Sequence, residues 1–184
     1  MITRETRTQE NDVAAHRPGT SGVRIRRVRP GDLEACAHFE ESCYHGHGAS
    51  RERIERRIRK YPQGFRVAVL EGQVVGFINS GCIVGEDITD ERLKELEGHD
   101  PAGKTRVVFS LAVDPQFQGR GVGQLLMERF ISDSRKSGAL SILLICRRSL
   151  IPFYKRFGFV YRGPSNATYG GYRWHEMVLP LVTK

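Results

Sequence analysis

The stretch Ser110-Leu-Ala-Val-Asp-Pro-Gln-Phe-Gln-Gly-Arg-Gly-Val-Gly-Gln-Leu-Leu126 decides the fold. An apolar strand ends at Asp114-Pro115, and a glycine-rich segment leads directly into a helix. Glycines allow the backbone to approach a ligand closely, and the amides at the start of a helix favour an anion. Arg120 adds a positive charge to this segment. We therefore predict that residues 118–124, here called the phosphate loop, bind a phosphate or pyrophosphate group.

Three phosphate-binding patterns compete for this loop. A Walker A loop ends in Gly-Lys-Ser/Thr, which is absent here. A dinucleotide fingerprint needs G-x-G-x-x-G after a first strand, whereas these glycines run G-x-G-x-G in mid-chain. The third pattern, Q/R-x-x-G-x-G/A, is matched by Gln118, Gly121 and Gly123. It is the coenzyme A loop of the GNAT acetyltransferases. A glycine-rich turn without any ligand remains the alternative.

The elements around the loop alternate between helical and strand patterns. Strands are predicted at 23–28, 65–70, 73–81, 107–113, 141–146, 159–161 and 172–179, and helices at 33–44, 124–137 and 150–157. Asp32 is expected to cap the first of these helices, and Ser50 to cap a further one that ends before Pro62. The resulting order, β-α-α-β-β-β-α-β-α-β-β, indicates an α/β domain with helices on the faces of a mixed sheet. This domain is assigned to residues 23–184, and residues 1–22, polar and without periodicity, to a disordered leader.

Composition narrows the class of protein. Among 184 residues, 39% are hydrophobic and 27% charged, which excludes collagen-like, wholly disordered and coiled-coil chains. No apolar run approaches the ~20 residues of a membrane span, and the first residues lack the apolar core of a secretory signal. The four cysteines form no CxxC pair, which predicts free thiols in a reducing cytoplasm and no metal site.

The net charge of +8 comes from the leader, the first strand and the segment Arg51–Lys60. Such an excess is compatible with nucleic acid, an anionic cofactor or an acidic partner. The simplest interpretation of the basic segment is a solvated helix face. Nucleic-acid binding would need stacking aromatic residues or a recognition-helix motif, and neither is visible. We therefore predict neither a nucleic-acid partner nor a membrane partner.

Beyond the loop, the chain resembles the GNAT superfamily over roughly residues 23–181. Leu111-Ala-Val113 and Ile151-Pro-Phe-Tyr-Lys-Arg-Phe-Gly-Phe159 carry the resemblance, together with the loop. Within the superfamily the chain is most similar to the arylalkylamine (serotonin) N-acetyltransferases, on the stretches Asp90–Leu93, Cys146, Leu150–Phe157 and Trp174–Met177. This resemblance implies a mostly antiparallel mixed sheet with a splayed parallel strand pair. It also implies transfer of an acetyl group from acetyl-CoA to a primary amine, by direct attack.

The resemblance also implies roles for individual residues. The backbone of Leu111, Ala112 and Val113 would bind the pantetheine arm of the cofactor. Tyr154 would act as general acid and protonate the leaving thiolate, although a packing aromatic is the alternative. The amides of the phosphate loop would hold the pyrophosphate, through Gln118, Gly119, Arg120, Gly121, Val122, Gly123 and Gln124. No metal is implied.

Two departures from this branch concern the acceptor. Val107 and Phe109 stand where the branch carries two histidines that help to deprotonate the amine. Arg147 and Arg148 replace acidic residues, and arginines would repel an ammonium group or bind an anion. The base is then a carboxylate reached through water, or the amine binds in its neutral form. The candidate carboxylates are Glu40, Glu41, Glu86, Asp87 and Glu176.

Several alternatives remain open from the sequence. His45-Gly-His47 has the spacing of a metal pair but lacks a third ligand, so Tyr44–Ser50 is interpreted as a mobile substrate loop. The acceptor is a small aryl- or alkylamine, a polyamine, or a protein N-terminus or lysine. A non-catalytic acyl-CoA-binding module is the alternative from another class, and Tyr154 argues against it.

Overall fold

The computed structural model describes residues 19–181, except for the side chain of Glu91. Seven strands form one sheet in the order β1-β2-β3-β4-β5-β7-β6. Every neighbouring pair is antiparallel except β4 and β5, which are parallel. The predicted mixed α/β architecture and element order are confirmed. The strands are β1 Arg24–Arg27, β2 Phe65–Leu70, β3 Gln73–Ile83, β4 Thr105–Val113, β5 Ser141–Cys146, β6 Val160–Pro164 and β7 His175–Pro180, and the helices are α1 Leu33–Tyr44, α2 Arg51–Lys60, α3 Val122–Lys136 and α4 Ile151–Lys155.

Helices cover both faces of the sheet because alternate residues of its strands point to opposite sides. Val67 and Val69 of β2 pack with α1 and α2 on one face, in a core that includes Ile54 and Ile58. Ala68, between those valines, belongs to the core of the other face, under α3 and α4. The sheet is therefore buried on both sides.

The helix caps were predicted with mixed success. The Ser50 hydroxyl accepts a hydrogen bond from the Arg53 amide at 3.3 Å, as expected for the N-cap of α2. Asp32 lies at the predicted start of α1, but its carboxylate does not cap that helix. It accepts from the Arg29 amide and pairs with Arg26, both at 2.7 Å. Because Arg26 and the Arg29 amide occupy the carboxylate, it does not bind the amides of the first turn of α1. The prediction that Asp32 caps this helix was therefore wrong.

Among the element boundaries that differ from prediction, two bear on the site. Helix α4 is shorter than the predicted 150–157, because a turn begins at Arg156. Strand β7 begins at His175 rather than Tyr172, since its partner β5 ends at Cys146, the residue opposite His175. Residues 165–174 instead form a loop beside the ends of the central strands. This shift places three aromatic residues of that loop near the splayed strands: Tyr169, Tyr172 and Trp174.

The interpretation of Arg51–Lys60 as a solvated helix face holds for most of its charged residues but not for Arg57. Arg57 is 3% exposed, and Arg53 and Arg56 both pair with Glu95 of the insertion between β3 and β4. Helix α2 therefore binds this insertion through ion pairs, which neutralise part of the positive charge of the helix.

Strands β4 and β5 pair over only three residues each, from Thr105 to Val107 and from Ser141 to Leu143. Beyond these residues the strands diverge, which is the predicted splay. The predicted leader lies largely outside the described residues, but Thr20 is buried, with its methyl group against Gly121 of the phosphate loop. None of the helices within residues 19–181 combines the length and apolar character that a membrane crossing needs.

Candidate functional site

A cleft of about 1070 Å³ opens where β4 and β5 diverge. Residues of both strands line it, including Phe109, Leu111 and Ile145. The phosphate loop closes one end. The insertion between β3 and β4, the loop 46–49 and the loop 168–174 surround the other end. We call these the loop end and the distal end of the cleft.

The geometry of the phosphate loop suits an anion. Gly119 and Gly121 have φ of 74° and 93°, values that side chains disfavour. Helix α3 begins at Val122, and no side chain caps the amides of its first turn. Space next to the Cα atom of Gly119 is open for at least 4 Å. The loop is therefore formed, accessible and rich in amide donors, as a pyrophosphate requires.

The backbone of β4 reaches the cleft at the positions predicted to bind pantetheine. The Leu111 amide donates to the Tyr44 hydroxyl at 3.3 Å, and that hydroxyl donates to the Leu111 carbonyl at 3.2 Å. The Val113 carbonyl accepts from Gln118 Nε2 at 3.0 Å and from the Cys43 thiol at 3.3 Å. These groups are thus competent to bind a ligand, and side chains of the protein satisfy them here.

Two predicted cofactor residues lie outside the cleft. Ala112 is 1% exposed and packs into the core beneath α1 and α2, because successive residues of a strand face opposite sides. Arg120 is exposed, and its guanidinium lies 5.3 Å from the centre of the Phe117 ring. The remaining predicted cofactor residues line the cleft: Leu111, Val113, Gln118, Gly119, Gly121, Val122, Gly123 and Gln124.

Tyr154 projects from α4 into the cleft and is 6% exposed. Phe153 and Phe159 hold its ring edge-on, at centroid distances of 5.0 and 5.7 Å. Its hydroxyl makes no hydrogen bond to any residue that the structure describes. Burial, assisted by the nearby Cys146, raises the pKa of Tyr154 far above its ordinary value. The phenol is therefore protonated at neutral pH and free to bind a ligand atom.

Glu40 is the only buried carboxylate among the described residues of the cleft. Its Oε1 accepts hydrogen bonds from the Ala49 amide and the Ser110 hydroxyl, both at 2.8 Å. Its Oε2 is buried without a partner among the described residues. Burial raises the pKa of Glu40, although these two hydrogen bonds and the charge of Arg57 oppose the shift.

The other predicted base candidates lie away from the cleft. Glu41 is exposed on α1, and Glu176 accepts a hydrogen bond from Ser165 at 2.8 Å. Glu86 pairs with Arg162, and Asp87 accepts from Thr89 in an exposed turn. Of the five carboxylates considered, the structure brings only Glu40 to the site.

Arg57 is a site residue that sequence reasoning missed. Its guanidinium donates to Asn79 Oδ1 at 3.1 Å and to the Lys94 carbonyl at 3.0 Å, and it lies 4.9 Å from the centre of the Phe109 ring. Burial lowers its pKa to about 10, so it stays charged at neutral pH. Its position beside Ile54 and Ile58 on one helix face was the available signal.

Tyr169 and Trp174 line the distal end, and Tyr172 contacts Trp174 without lining the cleft itself. The Arg147 guanidinium lies 4.1 Å from the centre of the Tyr172 ring. The same ring packs edge-on against His47 at 5.6 Å and Trp174 at 6.1 Å. Arg148 is exposed and does not line the cleft. Within residues 19–181, no cluster of three metal-ligating side chains accompanies the histidine pair.

Comparisons with known proteins agree with this geometry. The acetyltransferase (GNAT) family model matches residues 33–159. The serotonin N-acetyltransferase of Mesocricetus auratus is 33% identical over 112 residues, which are 60% of this chain and 53% of that protein. The serotonin N-acetyltransferase of Macaca mulatta is 32% identical over 110 residues, 56% of this chain and 54% of that protein. The chain thus spans about half the length of the curated relatives it matches.

Solved structures share the fold. Ard1 from Thermoplasma volcanium is 25% identical with a TM-score of 0.70, over 88% of this chain and 99% of that one. The yncA structure from Salmonella typhimurium contains acetyl-CoA and is 18% identical with a TM-score of 0.65. The match covers 88% of this chain and 95% of that one. With the splayed strands, the phosphate loop and the family match over most of the domain, the chain belongs to the acetyltransferase (GNAT) family.

Proposed function

We propose that this protein is an acetyl-CoA-dependent N-acetyltransferase that acts on a small primary amine. The observation that carries the proposal is the cleft between β4 and β5. It brings a buried, unpartnered phenol, Tyr154, and a buried, partly unpartnered carboxylate, Glu40, to the strand that leads into the phosphate loop. Two titratable groups with raised pKa values in one cleft are typical of acid–base catalysis.

The cosubstrate has a fitting site on this chain. Amides of the phosphate loop would hold its pyrophosphate, and the backbone of Leu111 and Val113 would hold its pantetheine arm once Tyr44 and Cys43 release those groups. Acetyl-CoA supplies an acetyl group activated as a thioester. The chain's own task is then to deprotonate the amine and to protonate the departing thiolate.

Glu40 is assigned the role of general base. Its unpartnered Oε2 can accept the amine proton directly or through water, and its raised pKa makes the carboxylate a stronger base than an ordinary glutamate. The Ser110 hydroxyl and the Ala49 amide hold Oε1 in place, so Oε2 keeps a defined direction. This assignment replaces the imidazole base that Val107 and Phe109 cannot provide.

Tyr154 is assigned the role of general acid. Its hydroxyl keeps its proton at neutral pH, because burial disfavours the phenolate. The hydroxyl has no other partner within the described residues and therefore retains this proton for the leaving sulfur.

The distal end favours a small acceptor over a protein chain. His47 of the loop 46–49 packs on Tyr172, and a Cβ atom placed on Gly170 would lie 2.9 Å from the His47 ring. These loops thus touch across the cleft and narrow it. The serotonin N-acetyltransferases among its relatives support an arylalkylamine or another small amine. We expect the enzyme to work in a reducing cytoplasm, since all four cysteines are free.

The test is release of the CoA thiol from acetyl-CoA in the presence of a panel of amines: arylalkylamines, polyamines, amino acids and peptides with free N-termini. We expect amine-dependent release with at least one small amine and little release with peptides. Tyr154→Phe serves as the matched control, because it removes one hydroxyl that makes no structural hydrogen bond. CoA binding without release for any amine would support a binding module and refute the proposal.

A further inference from the structure

A cation of the distal end, Arg147, has no role in the acetyl transfer described above. Arg147 lies at the end of β5, is half-buried and lines the distal end. Its guanidinium forms no ion pair with any carboxylate that the structure describes, and it stacks on the ring of Tyr172. A half-buried arginine that faces a cleft without a carboxylate partner is available for a ligand.

Other arginines at this end already have polar partners. Arg53 pairs with Glu95, and Arg92 pairs with Asp90 at 2.8 Å. Arg57 is held by Asn79 and by a backbone carbonyl. Arg147 is therefore the arginine of the distal end that lacks a polar partner, within the part of the chain that the structure describes.

The stacked geometry leaves hydrogen-bonding capacity. With its carbon 4.1 Å from the Tyr172 ring centre, the guanidinium makes a cation–π contact with the ring. This contact restricts the side chain without using its N–H donors. The guanidinium presents parallel N–H donors in one plane, which can bind both oxygens of a carboxylate.

From this arrangement we infer that the acceptor carries a carboxylate beside its amine, as an amino acid does, and that Arg147 binds it. The inference rests on the proposed acetyl transfer and names its substrate class. Glu40, the buried carboxylate of the same cleft, then faces the amine, and Arg147 faces the acid. A simple arylalkylamine would lack the group that Arg147 recognises and would bring an ammonium near its charge.

The experiment compares acceptors that differ only in the carboxylate: tryptophan with tryptamine, and tyrosine with tyramine. We expect the native enzyme to have a higher kcat/KM for the amino acid of each pair. In Arg147→Gln, kcat/KM for the amino acid should fall by about 10-fold to 100-fold, while kcat/KM for the amine should change little. Arg148→Gln is the matched control, since that arginine is exposed outside the cleft. Arg147→Glu should shift the preference towards the amine.

A second readout separates this inference from the proposed function. Calorimetry on the CoA complex measures binding of the same four acceptors without turnover. Amino-acid binding that Arg147→Gln weakens, without thiol release by the native enzyme, would support the carboxylate site and refute the acetyl transfer. The inference would be overturned if the native enzyme preferred the amines. It would also be overturned if Arg147→Gln lowered kcat/KM equally for both members of a pair, or if that variant bound CoA more weakly.

Discussion

Replacing Glu40 by Gln tests the proposed base with little change of shape. The Gln Oε1 can still accept from the Ala49 amide and the Ser110 hydroxyl, both 2.8 Å from Oε1 in the native protein. The amide nitrogen replaces Oε2, which has no hydrogen-bond partner among the described residues. The substitution therefore removes the basic oxygen and keeps the two contacts that hold the side chain.

The expected loss follows from the role of a general base. Such a group contributes about 10²–10⁴ in rate, or roughly 3–5 kcal/mol of activation free energy. We expect kcat/KM for the amine to fall by about this factor and CoA affinity to stay unchanged. In the native enzyme the rate should rise with pH through the raised pKa of Glu40, and Glu40→Gln should lose that rise.

The stability of the native protein should fall with rising pH, whereas its rate should rise. Burial raises the pKa of Glu40 in the folded state, so above its ordinary value the folded protein binds more protons than the unfolded chain. The free energy of unfolding therefore falls as pH rises through this window, because the cost of burying the charge outweighs its hydrogen bonds and the nearby charge of Arg57. Glu40→Gln removes the penalty, and we expect its melting temperature to equal or exceed the native value at alkaline pH.

The assay combines thiol release, calorimetry with CoA and thermal melts between acid and alkaline pH. Glu41→Gln, one position along α1 and exposed, is the control and should match the native enzyme. Near-native turnover of Glu40→Gln with an unchanged pH profile would refute the assignment. A large loss of melting temperature would show instead that the carboxylate is structural.

Three further predictions use the same assays. Tyr154→Phe should lower kcat by about 10²–10⁴ with CoA affinity unchanged, and near-native turnover would remove this phenol from the mechanism. Gly123→Val should fold, because the added Cβ would meet only ordinary contacts, and it should abolish CoA binding, because its methyl groups would enter the phosphate loop. Unchanged CoA affinity in the folded variant would refute CoA binding by this loop. Tyr44→Phe removes the hydroxyl bonded to the Leu111 backbone, so CoA should bind at least as tightly, and a tenfold weaker affinity would place that hydroxyl in the cofactor site.

Some of the site was predictable because it depends on neighbouring residues. The phosphate loop contains alternate glycines where the chain enters a helix, and the positive φ angles of Gly119 and Gly121 are possible because glycine lacks a side chain. The bounds of α1 and β5 were likewise predicted correctly, since apolar periodicity and turn residues are local signals. Tyr154 was found through a family resemblance in a contiguous stretch, which is also local information.

Other features depend on residues far apart in the chain. Glu40 and Ser110 are separated by 70 positions, and Tyr44 and Leu111 by 67. Their contacts exist because α1 crosses the sheet beside β4. The sequence left five carboxylates as candidates, and burial beside the splayed strands selected Glu40.

The sequence by itself determined the class of fold, the position of the phosphate loop and the missing imidazoles at Val107 and Phe109. Only the tertiary structure decided which charges face the cleft. Arg147 and Arg148 are adjacent in sequence, yet the end of β5 turns one into the cleft and the other into solvent. Arg57 became a buried site residue because the insertion between β3 and β4 folds over α2. Side-chain burial is a property of packed elements, and a linear pattern does not contain it.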